Sequence, residues 1–226
     1  MSVRDALTSR RSVRAFRPDP IPTAIVESLL ELASSAPSNS NTQPWRVHVV
    51  TGAAKAALTA ALLTAHDNPD NLRQRDYEYQ PNPEDWCEPL KSRRRRFGET
   101  LYSDVLGIDS EDTPARVEHH RRNYDFFGAP VGIILTVNRH ALDGALIDAG
   151  LFLQALMIAA RAAGLDTCPQ ASFIDFSPTI RTQLDIDIDQ RIVCGLALGH
   201  ADGSNRLSRC MTTRQPVSTF TRFHSS

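Results

Sequence analysis

Residues 143–164 constrain this chain most. They are its most hydrophobic region, and Leu146, Leu151, Phe152, Leu153, Leu156, Met157 and Ile158 fall almost all round a helix. Asp143 can cap that helix, and Gly164 stands where a left-handed glycine would end it. A helix with no polar face has to be covered. Asp148, Gln154 and Arg161 interrupt the run, which argues for a buried helix and against a membrane span. With 226 residues the chain can bury one good-sized core, so a helix of this kind also invites a subunit interface.

Other elements surround it. Residues 131–137 are a continuous apolar run, long enough for a strand covered on both faces, and 192–198 read as a further strand. Residues 46–51 alternate polar and apolar well enough for a third. Thr23 is read as the N-cap of a helix carrying Ile25, Val26, Leu29, Leu30 and Ala33, which should end near Pro37. An alanine- and leucine-rich helix is expected over 53–65. From 68 to about 122 aliphatic residues become scarce and arginines frequent, which reads as an exposed insertion of helices and loops in a single domain spanning 1–226.

Several function classes lose support. A net charge of −1 gives no electrostatic case for nucleic acid or an anionic membrane as partner. The four cysteines have no paired or metal-ligand spacing and read as packing residues. His119-His120 lacks a third ligand at metal spacing, so no metal is expected. No Gly-x-Gly-x-x-Gly, P-loop or Gly-x-Ser-x-Gly element is present. The amino terminus lacks an apolar signal core, and the expectation is a cytoplasmic protein.

Two segments carry chemistry. Arg10-Arg11-Ser12-Val13-Arg14-Ala15-Phe16 puts three guanidinium groups and a hydroxyl into five residues. Arginine forks match phosphate oxygens bidentately, and in an extended backbone residues 10, 12 and 14 share one face. Ala36-Pro37-Ser38-Asn39-Ser40-Asn41-Thr42-Gln43-Pro44-Trp45 offers the amides and hydroxyls that a heteroaromatic ring needs along its polar edge. Together they point to a phosphate-bearing, ring-containing cofactor.

These segments, with Phe126-Phe127-Gly128-Ala129-Pro130, Asp148-Ala149-Gly150, Gly164-Leu165-Asp166-Thr167-Cys168-Pro169-Gln170-Ala171, Leu198-Gly199-His200-Ala201-Asp202 and Arg214-Gln215-Pro216, resemble in order the FMN-dependent nitroreductase family, in its nitrobenzoate reductase-like branch. The resemblance implies an α+β fold, a central mixed or antiparallel sheet wrapped by helices, in an intertwined homodimer. It implies FMN at the subunit interface, with Arg10 and Ser12 on the phosphate, Arg11 in the same segment, and Arg14 at the pyrimidine edge. Pro37, Ser38, Asn39 and Asn41 would reach the flavin of the other subunit, with Gln43 and Trp45 fixing their loop. Pro169, Gln170 and Ala171 would present a backbone N–H to flavin N5, and Arg214 would add a second phosphate clamp. Relatives often carry a glutamate and a glycine where this chain has Ala171 and Ser172, and lysine at the place of Arg14.

The implied activity is ping-pong transfer of hydride from NADH or NADPH to a nitroaromatic, nitrobenzoate-like or quinone acceptor, with no protein acid, base or nucleophile. Dehydrogenation, dehalogenation, flavin degradation and non-catalytic flavin carriage remain alternatives. The run Lys91-Ser92-Arg93-Arg94-Arg95-Arg96 is expected mainly to pair with Glu84, Asp85, Glu88 and Glu99 on the surface. A narrower reading sends some of these arginines to the site mouth, facing a carboxylate or a nicotinamide phosphate.

Overall fold

The computed structural model describes residues 1–71, 73–141 and 143–224. Its centre is a four-stranded antiparallel sheet in the order β1-β2-β4-β3, with β1 at Trp45–Thr51, β2 at Val131–Asn138, β3 at Asp166–Gln170 and β4 at Gln190–Gly199. The 131–137 run is apolar throughout because β2 lies in the middle and is covered on both sides. Val131, Ile133, Leu135 and Val137 face one core, while Ile134 faces the other. A register shift at Leu135/Thr136 turns Ile192 of β4 to the second side, which it fills with Phe126 and Phe173.

The first core is closed by α2 (Thr23–Ala33) and α6 (Gly144–Ala162). Trp45 stacks on Phe152 at 4.9 Å between ring centroids. The second is closed by α3 (Gly52–Asp67) and α7 (Ser177–Leu184), through Leu58, Leu62 and Ile180. A third, smaller cluster joins Ala15 to Leu101, Leu106, Leu207 and Cys210. It carries the segment between α3 and β2, which holds α4 (Leu90–Gly98), a π-helical stretch at Glu99–Leu106 and α5 (Thr113–Arg121). Short α1 (Val3–Ser9) opens with a capping box between Ser2 and Asp5, and α8 (Val217–Phe220) lies near the end.

Four expectations at element ends need correction. Thr23 is the first helical residue of α2 and not its cap; Pro22 takes the cap position, with no side-chain hydrogen bond there. That helix stops at Ala33, short of Pro37, because Ser34 and Ser35 turn their hydroxyls onto the carbonyls of Glu31 and Leu32. Asp143 takes the N-cap position of α6 but gives it no side-chain hydrogen bond: its carboxylate accepts from Arg191 at 3.0 Å. Residues 166–170, expected as a turn, form β3. The 143–164 helix is also less fully covered than its composition demands, since Ile147 and Leu151 of α6 are exposed.

Candidate functional site

The first arginine segment lies against the free edge of β3. Ser12 bridges Thr167 in parallel, and the Val13 N–H donates to the Thr167 carbonyl at 3.0 Å. Phe16 and Arg17 continue the line by donating to the carbonyls of Phe127 and His200. Val13 turns into the core and Arg14 turns the other way, while Arg10 and Ser12, expected on the face of Arg14, do not line the cavity that Arg14 enters.

Arg14 thereby enters the wall of a cavity of about 800 Å³. The same wall contains Cys168, Pro169, Gln170, Ala171 and Ser172, from the end of β3 and the turn after it. Cys168 is buried, and burial pushes its thiol up to about 11, so it stays an unreactive packing residue. Gln170 donates from Nε2 to the Asn123 carbonyl at 2.7 Å, but its Oε1 is buried without a partner. Ser172 Oγ is likewise buried and unpartnered. Two orphaned polar atoms in a cavity wall fit a ligand with a polar edge.

Arg10 and Arg214 stand elsewhere. Burial lowers the Arg10 pKa, and the neighbouring Arg214 guanidinium lowers it further. Arg10 forms no ion pair among the described residues, and Arg214 donates only to Thr212 and Thr213. Two guanidinium groups that feel one another's charge, with no carboxylate paired to either among the described residues, suit an anion. Arg214 also lines a second cavity with Arg93, Arg95 and Arg96. Arg11 reaches the Met211 sulfur at 3.9 Å and lies in neither cavity wall.

The 37–41 loop is not brought to its own chain's cavity. Asn39 donates its backbone N–H to both carboxylate oxygens of the buried Asp148 at 3.2 Å, which ties the loop to α6. Ser38 Oγ accepts from the Gln43 N–H at 3.0 Å, and Gln43 Nε2 reaches the Asn41 carbonyl at 3.2 Å. Gln43 and Trp45 thus brace the loop, whose tip at Ser40 and Asn41 adopts positive φ.

The far side of the cavity comes from the segment between α3 and β2. His119 is 8% exposed, edge-on to Tyr102 at 5.6 Å, and burial with the charges of Arg122 and Arg14 pushes its pKa down to about 4. It is neutral at pH 7. Phe97 lies beneath Arg14, whose guanidinium carbon is 5.4 Å from the ring centroid. None of these residues had been singled out as a site residue from sequence; the only signal was the tyrosines and arginines that set 68–122 apart. The surface pairing expected of the 91–96 run also needs correction. Among the described residues only Arg95 of this run pairs with an acid, Glu99 at 3.8 Å; Arg94 turns into the cavity, and Arg93, Arg95 and Arg96 line the second one.

Similarity to known proteins bears on what such a cavity and arginine set serve. The chain is 48% identical to a 4-nitrobenzoate reductase of Nocardioides sp. (strain LMS-CY), over 92% of this chain and 84% of that protein. It is 42% identical to a 4-nitrobenzoate reductase of Pseudomonas putida, over 96% and 93% of the two chains. The structure resembles the FMN-dependent nitroreductase NfnB from Mycobacterium smegmatis, solved in complex with NADPH, with a TM-score of 0.92 and 34% identity over 98% of this chain and 97% of that one. The family model of the Nitroreductase family matches residues 7–200, and this chain belongs to that family.

Proposed function

We propose that this protein is an FMN-dependent oxidoreductase that takes hydride from NAD(P)H and reduces nitroaromatic acceptors, nitrobenzoates among them, in two half-reactions through one cavity. The observation that carries this reading is the arrangement around the 10–14 segment. Arg10 and Arg214 lie within reach of one another's charge with no carboxylate paired to either among the described residues, and Arg14 leads from the strand edge that carries the 10–14 segment into a cavity with two orphaned polar atoms. Bound FMN supplies the acceptance and return of hydride. Arg10, Ser12 and Arg214 hold the phosphate, with Arg11 at the rim of that set. Arg14 holds positive charge beside the ring, which favours the electron-rich form of a reduced flavin. Pro169, Gln170 and Ala171 line the ring's edge, and Pro37, Ser38, Asn39 and Asn41 serve the site of a second subunit.

The chain's own side chains need not exchange protons at the reacting atoms. His119 is neutral at pH 7 and Cys168 is a protonated thiol, so neither adds charge to the cavity. The relatives' printed activities support the acceptor class: two are 4-nitrobenzoate reductases, and a third, 38% identical over 220 residues, is a chloronitrobenzene nitroreductase of Comamonas testosteroni. The test begins with denaturation of the purified protein, which should release FMN. Anaerobic addition of NADH or NADPH should then bleach the flavin, and 4-nitrobenzoate should restore it. Colourless protein that ignores added FMN would sink the reading.

A further inference from the structure

The cavity wall contains five arginines, Arg14, Arg73, Arg75, Arg94 and Arg116, and one carboxylate, Asp175. Asp175 is shared by Arg73, at 3.6 Å, and Arg75. Arg14 belongs to the cofactor end. Arg94 on α4 and Arg116 on α5 remain, and neither pairs with an acid among the described residues. Both are nevertheless held in place. The Arg116 guanidinium carbon sits 4.4 Å from the Tyr102 ring centroid, and its Nη1 donates to the Ser110 carbonyl at 3.2 Å. The Arg94 guanidinium carbon sits 5.4 Å from the Trp86 centroid. A guanidinium held over an aromatic face by cation–π attraction gives up none of its donors to that ring, so those not used on Ser110 remain for an oxyanion.

We propose that Arg116, assisted by Arg94, forms a second anion subsite in the cavity, recognising an oxyanion carried by a planar ligand. This rests on the cavity being the reductase site, and it names the ligand chemistry: an aromatic acid's carboxylate, or a phosphate monoester on a nucleotide. The argument is one of charge and position. A neutral acceptor would leave two arginines and their positive field unused in a cavity already supplied with Arg14. An acidic one meets complementary charge near the ring-binding wall, and a bidentate contact there sets its orientation as well as its affinity.

Calorimetric titration of the purified holoprotein with two non-reducible pairs tests this: benzoate against benzamide, and adenosine 2′-phosphate against adenosine. The wild type should bind the charged member of at least one pair more tightly. Arg116→Gln should weaken that member by roughly 10- to 100-fold, the range for losing a hydrogen bond to a charged group, and leave its neutral counterpart within about twofold. Arg94→Gln should weaken the same member by a smaller factor, and Arg116→Lys should restore part of the loss. Loss confined to benzoate assigns the subsite to the acceptor's carboxylate; loss confined to the adenosine phosphate assigns it to the donor nucleotide. Equal loss of charged and neutral members, or unchanged affinity in both pairs, overturns the proposal. The titration reads binding without turnover, so its failure is separate from failure of the flavin reading, which would show as protein without FMN.

Discussion

His119, buried in the cavity wall, and Asp76, half-buried at the root of the 68–122 segment, show how single titratable groups act on stability. His119 has its pKa pushed from 6.5 to about 4 by burial first, then by Arg122, Arg14, His120 and Arg206. A group whose folded pKa lies below its unfolded value binds its proton in the unfolded chain first. Stability is then complete above about 6.5 and falls as the pH drops toward about 4. The displacement is worth at most about 3 kcal/mol over that window. His119→Gln should flatten the difference between urea midpoints measured at pH 5 and pH 7; an unchanged difference would mean that His119 titrates freely in the folded protein. Asp76 works in the opposite sense. Burial pushes its carboxyl up, but the Ile192 N–H at 2.7 Å, Arg181 at 2.6 Å and Arg139 at 2.9 Å overcome that and hold it below its ordinary value. It therefore remains charged and ties the root of the 68–122 segment to α7 and β4. Asp76→Ala would strand two cations and should cost about 3–5 kcal/mol, as breaking a buried pair does. A loss under 1 kcal/mol in denaturant titration would show that the clamp is replaced by water.

At the scale of elements, two glycines decide how the second core closes. A Cβ on Gly195 would stand 2.5 Å from the Phe173 ring, and one on Gly132 would stand 2.5 Å from Phe126. Both rings lie against the sheet only because these strand positions are bare, and they tilt together at 4.7 Å. Gly195→Ala should cost about 1–3 kcal/mol by overpacking and shift the turn after β3, whose Ser172 borders the cavity. Thermal unfolding and flavin affinity should fall together; a change in neither would mean that Phe173 finds another rotamer. Such close approaches leave no trace in hydrophobic pattern. Residues 131–137 and 192–198 were legible because continuous apolar runs have few alternatives, and α3 because its alanines and leucines repeat. β3 was not, since Asp166–Gln170 is short, contains Pro169 and has no alternation; its partners, β4 and the 12–13 segment, are set by tertiary structure. The site divided the same way. In the cavity wall, Arg14 and 169–171 lie in segments that local motifs mark, while Arg116, His119 and Asn123 come from a segment without periodicity whose docking the chain's pattern does not announce.

The whole molecule bears on assembly through α6. Its exposed residues include Ile147 at 69% and Leu151 at 43%, one turn apart, on the most apolar helix of the chain. Two large aliphatic side chains side by side in water mark a surface built to be covered. The 37–41 loop points to the same cover. It is fastened to this helix through Asp148 and exposed, yet it stays out of its own chain's cavity. The expected assembly is a homodimer that covers Ile147 and Leu151 and passes each loop to the neighbouring cofactor. Leu151→Glu places a charge at an exposed position, so it should leave the fold of one subunit intact while making the covered state expensive. Light scattering at micromolar concentration should show the wild type as a dimer and Leu151→Glu as a monomer with unchanged circular dichroism. On the proposed reading the monomer should also lose FMN on gel filtration, because phosphate contacts alone, without a neighbour's loop around the ring, would hold the cofactor too weakly. A variant that stays dimeric would move the interface away from α6, and a monomer that keeps a full complement of FMN would mean that each site is complete within one chain.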